Sequence, residues 1–157
     1  MNKEIIIMIG NIGSGKSTIA RKYATEGYRV ISRDALRYMV GGGKYTFDLN
    51  LEASIKKSAV KILETFMKNR ISIVYDETNV SKNLRVDTIQ LAKKYNYKII
   101  AYVLPCLSKE QSVDRRMKDP HGQNSREIWN SVWERFNSMY EEPSKDEGFD
   151  EIILMKE

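Results

Sequence analysis

The chain has little of what would place it outside a reducing, aqueous compartment. Its 157 residues include one cysteine, Cys106, so no internal disulfide can form. A single histidine, His121, excludes a histidine-rich metal cage. No apolar run approaches the roughly eighteen residues that a membrane helix needs. The opening MNKEIIIMIG runs directly into glycines and a lysine, without the apolar region and cleavage site of a signal peptide. Internal repeats, linkers and low-complexity tracts are also missing. These absences lead us to expect a cytoplasmic protein with no membrane partner, folded as one domain over 1–157.

What is present is the balance of a globular protein. Hydrophobic residues make up 41% and charged residues 30%, and the length suffices to bury a core without staples. The net charge of +5, with pI near 9.2, suits a polyanionic partner. Spread over the whole chain, that excess is too small to establish nucleic-acid binding by itself.

Apolar runs alternate with segments of helical period. EIIIMIG (4–10) reads as a buried strand and KSTIARKYATEG (16–27) as a helix stopped by Gly27. YRVIS (28–32) is a short strand, followed by the short helix RDALRYMV and then Gly41, Gly42 and Gly43. Leu51, Ile55, Ala59, Ile62, Leu63 and Phe66 share one face of a helix over 50–69. RISIVYD (70–76) and YKIIAYVL (97–104) are further strands, separated by a helix from Ser81 to Tyr95. Helices are expected at 108–118 and 125–139, and FDEIILM closes the chain as a fifth strand. Such alternation predicts an α/β fold of three layers, a parallel sheet covered on both faces. Ligands then bind beyond the carboxyl ends of the strands, which selects the polar residues that matter.

GNIGSGKST (10–18) lies between the first strand and the first helix and fits G-x-x-x-x-G-K-[ST]. The bare pattern arises by chance in roughly one chain in two hundred of this length. Gly10, Gly13 and Gly15, with Asn11, Ser14 and Thr18, form a loop whose backbone N–H groups wrap phosphates, aided by the helix N-terminus. Lys16 reaches the β- and γ-phosphates, and Ser17 places its hydroxyl on Mg²⁺. The implied ligand is ATP or another nucleoside triphosphate with Mg²⁺; the loop alone does not say what happens to it.

Asp34 falls two residues past the second strand, on the side where the first strand delivers the triphosphate. One reading makes it the polar first turn of a helix, capped and favoured by the dipole. The other makes it the base for an attacking hydroxyl. Arg33 and Arg37 flank it on one helix face, where they would keep it ionised and bind acceptor phosphates. The third strand ends in YDETNV (75–80), where a carboxylate commonly serves Mg²⁺. Asp76 is the closer fit and Glu77 its competitor. In the charged segment 108–127, Arg115 and Arg116 are candidates to close over the transferring phosphoryl group as a lid, spanning about 108–124; a solvated charged helix is the alternative. His121 sits in the turn of that segment with no role assigned.

On these residues the whole chain resembles the P-loop polynucleotide 5′-kinase family. GNIGSGKST looks like that family's phosphate loop. SRDALR resembles its R-D-x-x-R stretch, which implies Asp34 as general base for a 5′-hydroxyl and Arg37 as an acceptor contact. DETNVSKNLR resembles D-x-T-N…R, implying places near metal or acceptor for Asp76, Thr78, Asn79 and Arg85. The resemblance further implies strand order 2-3-1-4-5, a helical lid, and a 5′-OH end of DNA or RNA as substrate. One departure concerns the lid motif R-x-x-x-R, whose second arginine falls on Asp119, with Arg116 or Lys118 as stand-ins. Two rivals remain: a kinase of a nucleoside, nucleotide or other metabolite, and a nucleotide-dependent switch without an acceptor. Tyr45 and Phe47 beside the three glycines would favour the first reading by stacking an end nucleotide.

Overall fold

A computed structural model describes residues 3–119, 121–122 and 125–156. The strands are β1 (Glu4–Ile9), β2 (Arg29–Ile31), β3 (Ile73–Tyr75), β4 (Lys98–Val103) and β5 (Glu151–Leu154). The helices are α1 (Lys16–Thr25), α2 (Arg33–Val40), α3 (Leu49–Lys68), α4 (Lys82–Lys94), α5 (Lys109–Lys118) and α6 (Arg126–Met139). All pairings are parallel, and the sheet runs β2-β3-β1-β4-β5, the order that the family resemblance implies.

The pleat sorts β1 into two cores. Ile5, Ile7 and Ile9 face α3 and α4, packing with Leu63, Met67, Ile89 and Ala92. Ile6 and Met8 face the other way, against Ala20, Ile19 and Tyr23 of α1. A strand buried on both faces must be apolar throughout, which is why EIIIMI does not alternate. Each fully buried aliphatic side chain contributes about 1.5–3 kcal/mol, so this central strand anchors the domain. A third cluster joins Ile12 of the phosphate loop to Val113 of α5 and Trp129 of α6, with Met117, Val132, Trp133 and Phe136 around it.

β3 is shorter than its apolar run suggests. Arg70 takes φ 55 as α3 ends, and the Ile71 N–H donates to the Phe66 carbonyl. Residues 70–72 are therefore spent on leaving the helix. At the other end the strands are stapled past their ladders: Asp76 N–H donates to Ile31 O at 2.9 Å, and Gly10 N–H to Thr78 O at 3.0 Å. These bonds bring the ends of β1, β2 and β3 together.

Candidate active site

The phosphate loop follows from β1 ending in glycine. Gly13 has φ 65, and a Cβ there would lie 2.1 Å from the Ser112 carbonyl oxygen of α5. Only glycine allows both that backbone conformation and that approach. Gly15, at φ 101, caps α1 without a side chain, and the first turn of α1 holds no acidic residue, leaving its N–H groups open to an anion. Asn11 ties the loop to α6 through Nδ2–H to the Trp133 carbonyl at 3.0 Å, while its Oδ1 accepts from Ile12 N–H at 2.7 Å. Lys16 Nζ donates to the Asn11 carbonyl at 2.7 Å and lies 3.5 Å from Ser14 Oγ. Burial lowers Lys16 from its ordinary 10.5 to about 8, against the Asp76 charge that raises it. Thr18 is exposed at the loop's end.

The acid at the end of β3 is divided by the pleat. Asp76 Oδ2 accepts from Ser17 Oγ at 3.0 Å. Burial raises the Asp76 carboxyl, with Lys16 and Ser17 opposing that rise. Glu77 turns the other way and is taken by Arg33, whose backbone N–H and Nε donate to Oε1 at 2.6 and 3.0 Å. Among the described residues there is no group of three or more histidine, cysteine or acidic side chains able to cage a metal. One hydroxyl and one carboxylate instead suit Mg²⁺, which keeps water and phosphate oxygens as its remaining ligands.

Ser32 caps α2 by accepting from Ala35 N–H at 2.9 Å, so Asp34 is released from that duty. Its Oδ1 accepts from Arg37 Nη1 at 2.7 Å, and its Oδ2 lies 3.3 Å from His121 Nε2. Partial burial alone would raise this carboxyl. Contacts with His121 and Arg37 outweigh that and hold Asp34 well below the ordinary carboxylate range. Asp34 is also near enough to the phosphate loop for its charge to act on Lys16 and Asp76. Arg37 is buried and gives its other edge to Glu52 of α3, at 3.1 Å from Nε and 2.5 Å from Nη2.

Arg115 of α5 brings Nη1 to 3.9 Å from where a Cβ on Gly15 would be. Arg116 stacks its guanidinium 5.0 Å from the Trp129 ring centre, and its charge reaches Lys16 and Asp76. Asp119 ends α5 and is exposed, as is Lys118. Of the expected lid, Pro120, Gln123 and Asn124 lie outside the described residues.

Three expected acceptor contacts do not reach the cleft. Arg85 is fully buried, paired to Glu147 at 2.8 Å from Nε and 3.1 Å from Nη2, and it donates to the Asn79 carbonyl. The acceptor role expected of it is therefore corrected: it fixes α4 to the turn before β5. Asn79, at φ 46, sends Nδ2–H to the Met8 carbonyl at 2.9 Å, bracing β1 from below the loop. Thr78 contributes its carbonyl to Gly10.

The family model described as AAA domain (AAA_33) matches residues 5–143. The chain belongs to that AAA-domain family. Solved structures with the same P-loop kinase fold include a chain of the Pnkp1/Rnl/Hen1 RNA repair complex, 24% identical at a TM-score of 0.69, covering 89% of this AAA domain. Our chain spans 47% of that protein's length. A fungal RNA kinase is 21% identical (TM-score 0.65) over 99% of this chain and 38% of its own. The APS kinase CysC of Mycobacterium tuberculosis, solved with AMPPNP and APS, is 15% identical (TM-score 0.63) over 99% of this chain and 90% of its own. The likeness to polynucleotide kinases read from the sequence thus holds for family and fold.

Sequence reasoning missed two residues of this AAA domain's cleft. Glu52 lies fifteen residues from Arg37 across an irregular loop, with no local signal to pair them. His121 sits in the lid and meets α2 only in the fold. No helix among the described residues is long and apolar enough to cross a membrane.

Proposed function

We propose that this protein transfers the γ-phosphoryl group of ATP to a hydroxyl, most simply the 5′-OH of a DNA or RNA end. One observation carries the reading: a carboxylate, Asp34, stands free of capping duty beside a phosphate loop and its Ser17–Asp76 pair. In this role Lys16 and the α1 N-terminus hold the triphosphate, and Ser17 with Asp76 hold Mg²⁺, which neutralises charge on the phosphates. Asp34 accepts the proton of the attacking hydroxyl. Arg115 and Arg116 lie where they can meet charge spreading onto the transferring group.

The electrostatics favour a hydroxyl over a phosphate as acceptor. Two arginines, Arg33 and Arg37, are engaged by three carboxylates, Glu77, Glu52 and Asp34. An acceptor phosphate placed against Asp34 would face a net acidic pocket, whereas a 5′-OH end keeps its first phosphate on the far side of the sugar. Phe47, well exposed with its ring 5.6 Å from the Arg37 guanidinium, offers a face for the end base. The likeness to RNA-repair and RNA-kinase structures agrees with this choice.

The paired arginines also favour a second reading, a small hydroxylated metabolite as acceptor, since neither guanidinium is left free to bind a nucleic-acid phosphate. Label from γ-labelled ATP, offered with 5′-OH oligonucleotides, nucleosides, sugars and monophosphates in parallel, decides. Oligonucleotide labelling is expected; label on small compounds alone moves the assignment to the second reading.

A further inference from the structure

His121 descends from the lid onto the carboxylate that the proposed function makes the base, and both its ring nitrogens are engaged. Nε2 is 3.3 Å from Asp34 Oδ2, and Nδ1 is 2.8 Å from Tyr38 Oη. The ring is mostly buried between aromatic faces: Tyr45 stacks on it at 4.9 Å and 15°, while Tyr38 and Trp129 meet it edge-on. A lid residue that only packed would not need Tyr38 and Asp34, one turn apart on α2, to meet its two nitrogens.

We infer that His121 shares with Asp34 the proton taken from the acceptor hydroxyl, so that the base is a Tyr38–His121–Asp34 chain rather than a lone carboxylate. This rests on the phosphotransferase reading above. A carboxylate held so firmly ionised by Arg37 is a weak terminal proton acceptor, because a base works best when its affinity for protons matches the working pH. Imidazole in contact with it supplies that affinity.

The step balances as follows. The acceptor oxygen forms its bond to the γ-phosphorus while the bond from that phosphorus to the β,γ-bridging oxygen breaks, and ADP leaves with the electron pair. The acceptor proton passes to the Asp34 carboxylate and comes to rest on His121 Nε2. The ring, neutral beforehand with its proton on Nδ1, then carries two, donating from Nδ1 to Tyr38 Oη and from Nε2 to Asp34. Release of that proton to water resets the chain.

The charged and titratable groups around the ring are Asp34 and Tyr38 on α2, Tyr45 on the following loop, Arg116 behind Trp129, and Asp119 at the end of α5. Arg37 and Glu52 lie behind Asp34. Burial and the Asp34 charge push the Tyr45 phenol up to about 12, so it stays protonated and does not compete for the proton near neutrality. Tyr38 is likewise raised by burial.

His121→Gln tests the chain, since glutamine keeps hydrogen bonding but takes up no proton near neutral pH. We expect kcat to fall about 10²-fold, the lower end of what a positioned base contributes, with KM for ATP retained. The acid limb of the pH–rate profile should flatten, and Tyr38→Phe should give a smaller loss. Wild-type turnover with an unchanged acid limb would overturn the inference; turnover faster than wild type would too, making His121 a plug over Asp34. A second readout needs no acceptor. The protein has one histidine, so its imidazole nitrogens give one set of NMR signals. Asp34→Asn should change their tautomer pattern, and signals indifferent to it would break the chain. Failure of wild type to label any acceptor, with the NMR coupling intact, would instead strike the phosphotransferase reading.

Discussion

Lys16→Met should make the protein more stable near neutral pH while removing its grip on the triphosphate. Burial drops Lys16 from 10.5 to about 8, which corresponds to roughly 3 kcal/mol of destabilisation when the group is charged. The sign follows from proton counting. Between about pH 8 and 10.5 the unfolded chain holds a proton on this lysine that the folded chain has lost, so stability rises with pH across that window. Below about pH 8 the whole cost is present. Methionine keeps the apolar stem and removes the charge, but loses the bond from Nζ to the Asn11 carbonyl, worth about 1 kcal/mol. The net gain is about 2 kcal/mol at pH 7, or a rise of roughly 4–8 °C in Tm for a chain of this size. Paired denaturant melts of wild type and variant at pH 7 and about pH 9.5 are the assay. The gain should shrink nearly to nothing at the higher pH, as wild-type Lys16 sheds its proton. A variant no more stable than wild type at pH 7, or a gain identical at both pH values, would refute the reasoning.

Arg85→Ala should act on stability alone. It leaves the Glu147 carboxylate buried without its partner, at a cost of about 3–5 kcal/mol read from the denaturation midpoint, with KM for any acceptor unchanged; a raised KM with unaltered stability would restore Arg85 as an acceptor contact. Asp34→Asn should lower kcat by about 10²–10⁴-fold while ATP affinity, measured by calorimetry, stays the same. Surviving turnover would show that another group takes the proton.

The parts of this account that the sequence carried are those with a local period or a compact motif. Ile5 to Ile9 read as a doubly buried strand because both faces of β1 are covered, and GNIGSGKST specified its own backbone through Gly13 and Gly15. The contacts that shape the acceptor side are long-range instead. Arg33 meets Glu77, 44 residues on, and Tyr38 meets His121, 83 residues on. Such pairs depend on which strand ends abut and where the lid comes down, and no spacing in the chain encodes that. Asp76 and Glu77 illustrate the boundary well. Neighbouring residues leave a strand on opposite sides, so which of them meets Ser17 depends on the registration of β3 against β1 and not on residue type. Arg85 misled for the opposite reason: a basic residue in a family-like motif was read as an outward contact, whereas a carboxylate 62 residues away draws it into the core.

The most direct test of the central claim compares one oligonucleotide in two forms, with a 5′-hydroxyl and with a 5′-phosphate, against γ-labelled ATP and Mg²⁺. A base at Asp34 working on a 5′-OH end predicts label at the 5′ position of the hydroxyl form and none on the phosphorylated form. Label on neither oligonucleotide, with label appearing on the phosphate of a nucleoside monophosphate, would contradict it.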